Sequence, residues 1–151
     1  MVLTEDMKRM QSSSMLVFTG RIYDHKKISA IFPDALLVSV MRKPWRFTPR
    51  HVKIMQELGP PVPLLKYCKE HADVEGQELI NLQAYYSAEY FKHLYDGFAG
   101  ADLGELRLLM NTYDKVILLC SEKSGEFCHR HLLRYHLVDD WDILNAGEIV
   151  V

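Results

Sequence analysis

Three short runs of continuous apolar residues mark the chain, and they cover Met15–Thr19, Ala35–Met41 and Val116–Cys120. Continuous apolarity is typical of strands that are covered on both faces, as in a parallel sheet. Between these runs the apolar residues recur at helical spacing, which predicts helices over Pro63–His71, Ser87–Phe98, Asp102–Met110 and Cys128–Leu137. Together the elements predict a small three-layer α/β domain with a mostly parallel sheet.

Smaller features complete this picture. Ser87 is placed to cap the helix that it begins, and residues 50–57 are expected to form a helical turn inside a proline-rich loop. The tail Ile149–Val151 is expected to add a short final strand. Residues 1–14 read as a polar N-terminal segment, and residues 15–151 as one domain.

Composition excludes several classes of protein. The chain has 151 residues, of which 48% are hydrophobic and 25% charged, which is the mix of an ordinary globular domain and not of a disordered chain. A net charge of −2 provides no overall basic field for nucleic acid. No apolar run approaches the ~20 residues that span a membrane. Three cysteines and no signal-like start favour a cytoplasmic protein without a disulfide framework.

Polar residues with chemical potential follow each predicted strand. Arg21 follows the first, Arg42, Trp45 and Arg46 follow the second, and the segment 121–131 follows the third. Parallel strands bring their carboxyl ends to one edge of the sheet, where α/β proteins bind ligands. The sequence therefore predicts a pocket at this edge.

The loop after the second strand is basic. Residues 42–53 contain five Lys or Arg and no acid, and Trp45 and Phe47 lie between them. Such a loop suits phosphate pairing combined with stacking on a base. The alternative is a solvated charged loop whose two aromatic side chains pack into the core.

The segment after the third strand holds a candidate nucleophile. Cys128 lies where a helix should begin, and a helix N-terminus lowers a thiol pKa and attracts anions. Cys128 could then attack a substrate, with His129 or His131 as base and Glu122 as acid or orienting group, while Arg130 pairs with an anion. The alternative is structural: the thiol packs at the helix start, and its neighbours bond nearby loops.

Two other patterns are weaker. Cys128 and Arg134 have the Cys-x5-Arg spacing of phosphatase loops, but the residues between them look helical. Cys120 and Cys128 with His129 or His131 match no standard zinc spacing, so no metal and no cofactor is predicted. Cys68 is expected to be a small buried apolar residue.

These motifs resemble a known family. Cys120-Ser-Glu122, followed by Cys128-His129-Arg130, resembles the Cys-x-Glu…Cys-His-Arg signature of the bacterial and phage proteins called domain of unknown function 488. The strand that ends in Arg42 and the stretch Leu58-Gly59-Pro60 also resemble parts of that family. The resemblance implies a Rossmann-like domain whose signature residues gather at one sheet edge: Arg42, Cys120, Glu122, Cys128, His129 and Arg130.

The resulting expectation is an anion- or phosphate-binding α/β protein that acts, if it is an enzyme, on a nucleotide or nucleic-acid-derived substrate. The partner is then an anionic small molecule or a nucleic acid, and no membrane. Two alternatives stay open: a nucleic-acid-binding module without turnover, and a protein-interaction domain built on the aromatic cluster between Tyr85 and Phe98. The sequence does not determine the oligomeric state.

Overall fold

The structure is a computed structural model that describes residues 15–151; the predicted polar segment 1–14 lies outside the described residues. Within this part of the chain, five parallel strands form one sheet in the order β3-β2-β4-β1-β5. They are β1 Leu16–Arg21, β2 Leu36–Ser39, β3 Val52–Ile54, β4 Lys115–Cys120 and β5 Leu144–Glu148. The predicted parallel α/β architecture is confirmed.

Helices cover the two faces of the sheet unequally. The five α-helices of residues 15–151 are α1 His25–Ile31, α2 Val62–Glu70, α3 Gly76–Asp96, α4 Gly100–Met110 and α5 His129–Trp141. Buried residues of α2 to α5 share one core cluster on one face, whereas Ile28 of α1 belongs to a second cluster on the other face. The result is a Rossmann-like, three-layer domain. None of the helices in residues 15–151 is long and apolar enough to cross a membrane.

The side chains of β4 show why its sequence is continuously apolar. Val116, Leu118 and Cys120 belong to the cluster under α2 to α5, while Ile117 and Leu119 belong to the cluster under α1. Successive residues of a strand point to opposite faces, so burial on both faces demands apolar residues throughout. The same alternation places Cys120, the last residue of β4, on the face where α5 begins.

The helix predicted from Ser87 begins eleven residues earlier, at Gly76, so the prediction of Ser87 as a cap is wrong. Its hydroxyl instead donates a hydrogen bond of 2.8 Å to the Gln83 carbonyl inside α3. The first turns of this helix lie mostly exposed, with Leu79 and Ile80 facing solvent in part. Leu79, Leu82 and Tyr86 nevertheless stand at helical spacing, and this signal could have placed the start of the helix earlier.

Two further expectations are wrong in position. Residues 50–57 contain no α-helical turn: Val52–Ile54 forms β3 against β2, and a 3₁₀ turn follows over Gln56–Leu58. The last strand pairs with β1 over Leu144–Glu148 and ends before Ile149. The position of each of these strands is set by its pairing with a neighbouring strand of the sheet. Local sequence propensity does not contain this information.

Candidate functional site

A cavity of about 440 Å³ opens at the carboxyl ends of β2 and β4. The residues after β2 supply one side, and the loop between β4 and α5 supplies the floor. Helices α2 and α3 form the apolar wall opposite, with Leu65, Leu79, Leu82, Tyr86 and part of Cys68. The cavity thus lies where open α/β sheets bind their ligands.

Three reactive side chains meet at the floor of this cavity. Cys120 ends β4, Cys128 precedes α5 in extended conformation, and His129 is the first residue of that helix. Their two sulfurs and one imidazole nitrogen all lie within 4.8 Å of one another, and all three residues are buried. The turn between β4 and α5 therefore folds residues separated by a seven-residue loop into one cluster.

Glu122 completes the cluster. Its Oε2 atom accepts hydrogen bonds from the thiols of Cys120, at 2.9 Å, and Cys128, at 3.1 Å. The guanidinium of Arg130 lies 3.8 Å from the same oxygen and pairs with Glu148 at 2.9 Å. Arg130 is completely buried, so it places a fixed positive charge behind the carboxylate.

The His129 ring has a defined orientation. Its Nε2 lies 2.5 Å from the Val40 carbonyl oxygen, which can only accept, so Nε2 carries a proton. Its Nδ1 then faces the sulfur of Cys128 at 3.7 Å. Burial lowers the pKa of His129, but the hydrogen bond and charge of Cys128 outweigh it, leaving that pKa above its ordinary value.

The two buried thiols of the cluster differ in acidity. The adjacent Cys120 thiol lowers the pKa of Cys128, and the neighbouring His129 adds to this effect against the opposing cost of burial. The adjacent Cys128 raises the pKa of Cys120, as does the burial of Cys120. Cys128 is therefore the thiol that ionises first, and Cys120 keeps its proton.

Arg42 holds the rim of the cavity together. Its guanidinium donates to the Pro60 and Gly59 carbonyls at 2.9 and 3.0 Å, and it pairs with Glu57 at 2.9 Å. A Cβ atom at Gly59 would lie 2.4 Å from the Arg42 backbone nitrogen, so only glycine allows this approach. The close approach to Arg42 thus explains why a glycine stands at the centre of the Leu58-Gly59-Pro60 stretch.

Of the predicted site residues, the structure brings Glu122, Cys128, His129, Arg130 and Arg42 to one place. Arg130 stands behind the carboxylate, and the other four line the cavity.

The remaining predicted site residues do not line this cavity. Arg21 lies over the ring of Tyr23 at 5.2 Å, and Trp45 packs edge-on against the same ring at 4.5 Å. Arg46 lies 5.5 Å from the ring of Phe47. Trp45 also packs against the core cluster under α1, whereas Phe47 is exposed on the basic loop.

Three weaker interpretations can be compared with the structure. Arg134 lies within α5 and donates to the Thr19 hydroxyl at 2.7 Å, so the residues after Cys128 form a helix and not a phosphate loop. His131 faces Thr19 and Glu148, outside the cluster. Cys68, expected as a small buried apolar residue, packs against the core cluster but is only half-buried and also lines the cavity.

Three residues of the lining were not among the predicted site residues: Lys43, Lys69 and Tyr86. Lys43 is within the basic loop that the sequence singled out, and this signal could have found it. Lys69 and Tyr86 come from α2 and α3, and the strand-end rule does not reach residues on covering helices.

A scan against protein-family models, a search of curated proteins and a search of solved structures each find no match to this chain. The resemblance to the domain of unknown function 488 proteins therefore stays a prediction.

Proposed function

We propose that this protein is an enzyme that binds a small anionic ligand with a flat apolar part, of the nucleotide class, in the strand-end cavity. One observation carries the proposal: an apolar cavity with a basic rim lies directly above the cluster of Cys128, His129 and Glu122. The side chains of Cys128 and Glu122 are the reactive groups that such a ligand would meet.

Size and lining support this ligand class. Small-molecule pockets span roughly 300–1,000 Å³ and combine an apolar wall with a few polar groups, and this cavity of about 440 Å³ falls in that range. Tyr86 and Phe127 offer aromatic surface to a flat ring. The wall would thus bind the base or a similar group by burial of apolar area.

The rim supports the anionic part. Arg42, Lys43 and Lys69 are the basic side chains of the lining, and Glu122 is its acidic one. Among residues 15–151, neither Lys43 nor Lys69 forms a salt bridge. Both ammonium groups are therefore open to pairing with a phosphate.

Thermal unfolding against a panel of nucleotides, their nucleosides, sugar phosphates and inorganic phosphate tests the proposal. A ligand at 100 times its Kd stabilises the folded state by about 2.7 kcal/mol. For a domain of this size, that corresponds to a Tm increase of roughly 5–10 °C. We expect a nucleotide to give such a shift and its nucleoside a smaller one.

Matched lysine variants locate the binding. Lys43→Ala and Lys69→Ala should each reduce the shift, whereas Lys27→Ala, an exposed change on α1, should leave it unchanged. A panel without any shift, or an equal loss in the Lys27→Ala control, would refute binding at the cavity.

A nucleic-acid-binding module is the second candidate, and one observation favours it. Phe47 is 82% exposed beside Arg46 on the basic loop, an arrangement that suits stacking on an unpaired base. Salt-dependent binding of single-stranded DNA or RNA that Phe47→Ala weakens and Lys69→Ala does not would assign this function to the loop.

A further inference from the structure

The floor of the cavity has the donor set of a metal site. The sulfurs of Cys120 and Cys128 and one imidazole nitrogen of His129 lie within 4.8 Å of one another, and the Oε2 atom of Glu122 lies 2.9 and 3.1 Å from the two sulfurs. The two thiols and the imidazole converge closely enough to hold a single ion, and the Glu122 carboxylate lies beside the two sulfurs.

The spacing of Cys128 and His129 fits a tetrahedral ion. With metal–sulfur and metal–nitrogen bonds of about 2.3 and 2.05 Å, a tetrahedral zinc ion separates its sulfur and nitrogen ligands by ~3.6 Å. The observed distance from the Cys128 sulfur to His129 Nδ1 is 3.7 Å. The Glu122 oxygen lies about 0.5–0.7 Å closer to the two sulfurs than this spacing, so it must move away from them to become a ligand. Its side chain is 41% exposed and belongs to the loop after β4, so it has room to withdraw.

The histidine is held as metal-binding histidines are. Its Nε2–H donates to the Val40 carbonyl, which leaves the Nδ1 lone pair facing the sulfur of Cys128. Metal-bound histidines almost always donate their other ring N–H to a carbonyl or carboxylate, which fixes the ring and its tautomer. The backbone of the segment after β2 thus supplies this support from outside the cluster.

A buried positive charge lies beside the site. Two thiolates and one carboxylate exceed the charge of a divalent cation by one negative unit. The completely buried Arg130 lies 3.8 Å from Glu122 Oε2, and its Nη1 atom has no hydrogen-bond partner among the described residues. This guanidinium, which also pairs with Glu148, would offset part of the excess negative charge.

We propose that Cys120, Cys128 and His129 bind one Zn²⁺ ion at the floor of the cavity, and that the Glu122 side chain moves to supply the fourth ligand. Two thiolates with an imidazole in tetrahedral arrangement select zinc over the harder cations, which prefer oxygen ligands. The seven residues between the two cysteines give a spacing unlike that of the standard zinc motifs. The ligands nevertheless meet, because β4 and α5 position them. The inference goes beyond the nucleotide proposal and does not depend on it: Cys128 and Glu122 would be reactive side chains in the zinc-free protein and metal ligands in the zinc-bound one.

Metal analysis of the reduced wild-type protein, equilibrated with Zn²⁺ and then desalted, tests the proposal. We expect one zinc per chain by elemental mass spectrometry. Replacement by Co²⁺ should give the sulfur-to-cobalt charge-transfer band and the strong visible bands of a tetrahedral thiolate site. Cys120→Ser and Cys128→Ser should lose the bound metal, whereas Cys68→Ser, at the third cysteine and outside the cluster, should retain it. Glu122→Gln should weaken zinc binding about tenfold or more while it keeps the charge-transfer band.

Alkylation of the wild-type protein provides a measurement that needs no variant. Zn²⁺ should slow the modification of Cys120 and Cys128 at least tenfold without slowing Cys68, and a chelator should reverse the protection. Each of three results would overturn the proposal. The first is the absence of bound zinc from protein in which all three thiols are reduced. The others are an equal loss of zinc in Cys68→Ser and an alkylation rate of Cys120 and Cys128 that zinc does not change. The nucleotide panel, run on zinc-loaded and zinc-free protein, shows separately whether the proposed function fails.

Discussion

The close approach of two loops at the cavity rim makes Gly59→Ala a sharp test of this structure. The added Cβ atom would lie 2.4 Å from the backbone nitrogen and 2.7 Å from the Cα of Arg42, closer than such atoms can approach. Both obstacles are backbone atoms, so no change of rotamer relieves them. The loops must separate, which costs about 1–3 kcal/mol and loosens the hydrogen bond from Arg42 to the Gly59 carbonyl.

Thermal and urea unfolding of Gly59→Ala measure this cost. Each kcal/mol should lower the Tm by about 2–4 °C in a chain of this length. Gly104→Ala is the matched control, because its Cβ meets nothing within 4 Å in the interior of α4. That change should stabilise the protein by about 0.5–1 kcal/mol, since alanine is the better helix former. Equal or greater stability of Gly59→Ala relative to wild type would refute the proposed packing of the rim.

Two further predictions concern buried polar groups. Glu148→Gln removes the charge that neutralises the buried Arg130, so we expect a loss of about 3 kcal/mol in urea unfolding at pH 7. Burial raises the pKa of Glu148, but Arg130 outweighs this and leaves the pKa below its ordinary value. The ion pair therefore stabilises fully above about pH 4.5, and its contribution falls with pH through the lowered pKa; a wild-type advantage that persists at pH 2 would contradict this assignment. Tyr90→Phe leaves the Leu58 carbonyl without the buried phenol that donates to it, which should cost about 1–3 kcal/mol. Tyr86→Phe, at a cavity tyrosine one turn away, should cost less than half as much in the same unfolding assay.

The sheet was predictable because its signal is local. The buried strands β1, β2 and β4 appear in the sequence as continuous apolar runs, since each is covered on both faces. The short β3, of three residues, and β5, with its exposed Leu144, carry no such signal. Both exist because a neighbouring strand offers hydrogen-bonding groups, and that neighbour is far away in the sequence.

The candidate site was predictable in part for a related reason. Glu122, Cys128, His129 and Arg130 follow β4, and the strand-end rule together with a helix start brings them to one place. The rule places residues at an edge but does not assign them to a face. Arg21, Trp45 and Arg46 reach the same edge, yet they contact Tyr23 and Phe47 instead of the cavity.

The pairing of β2 with β4 has a consequence for how the molecule folds. It joins Leu36 to Val116, residues eighty positions apart, and such distant pairing slows folding because a long loop must close first. Cys120, Glu122 and Cys128, by contrast, lie within one turn of chain between β4 and α5. The β4–loop–α5 segment can bring Cys120, Glu122 and Cys128 together early in folding. The Val40 carbonyl reaches His129 only when β2 pairs with β4. In refolding we therefore expect the sulfurs of Cys120 and Cys128 to come together first, and the His129 ring to become fixed more slowly.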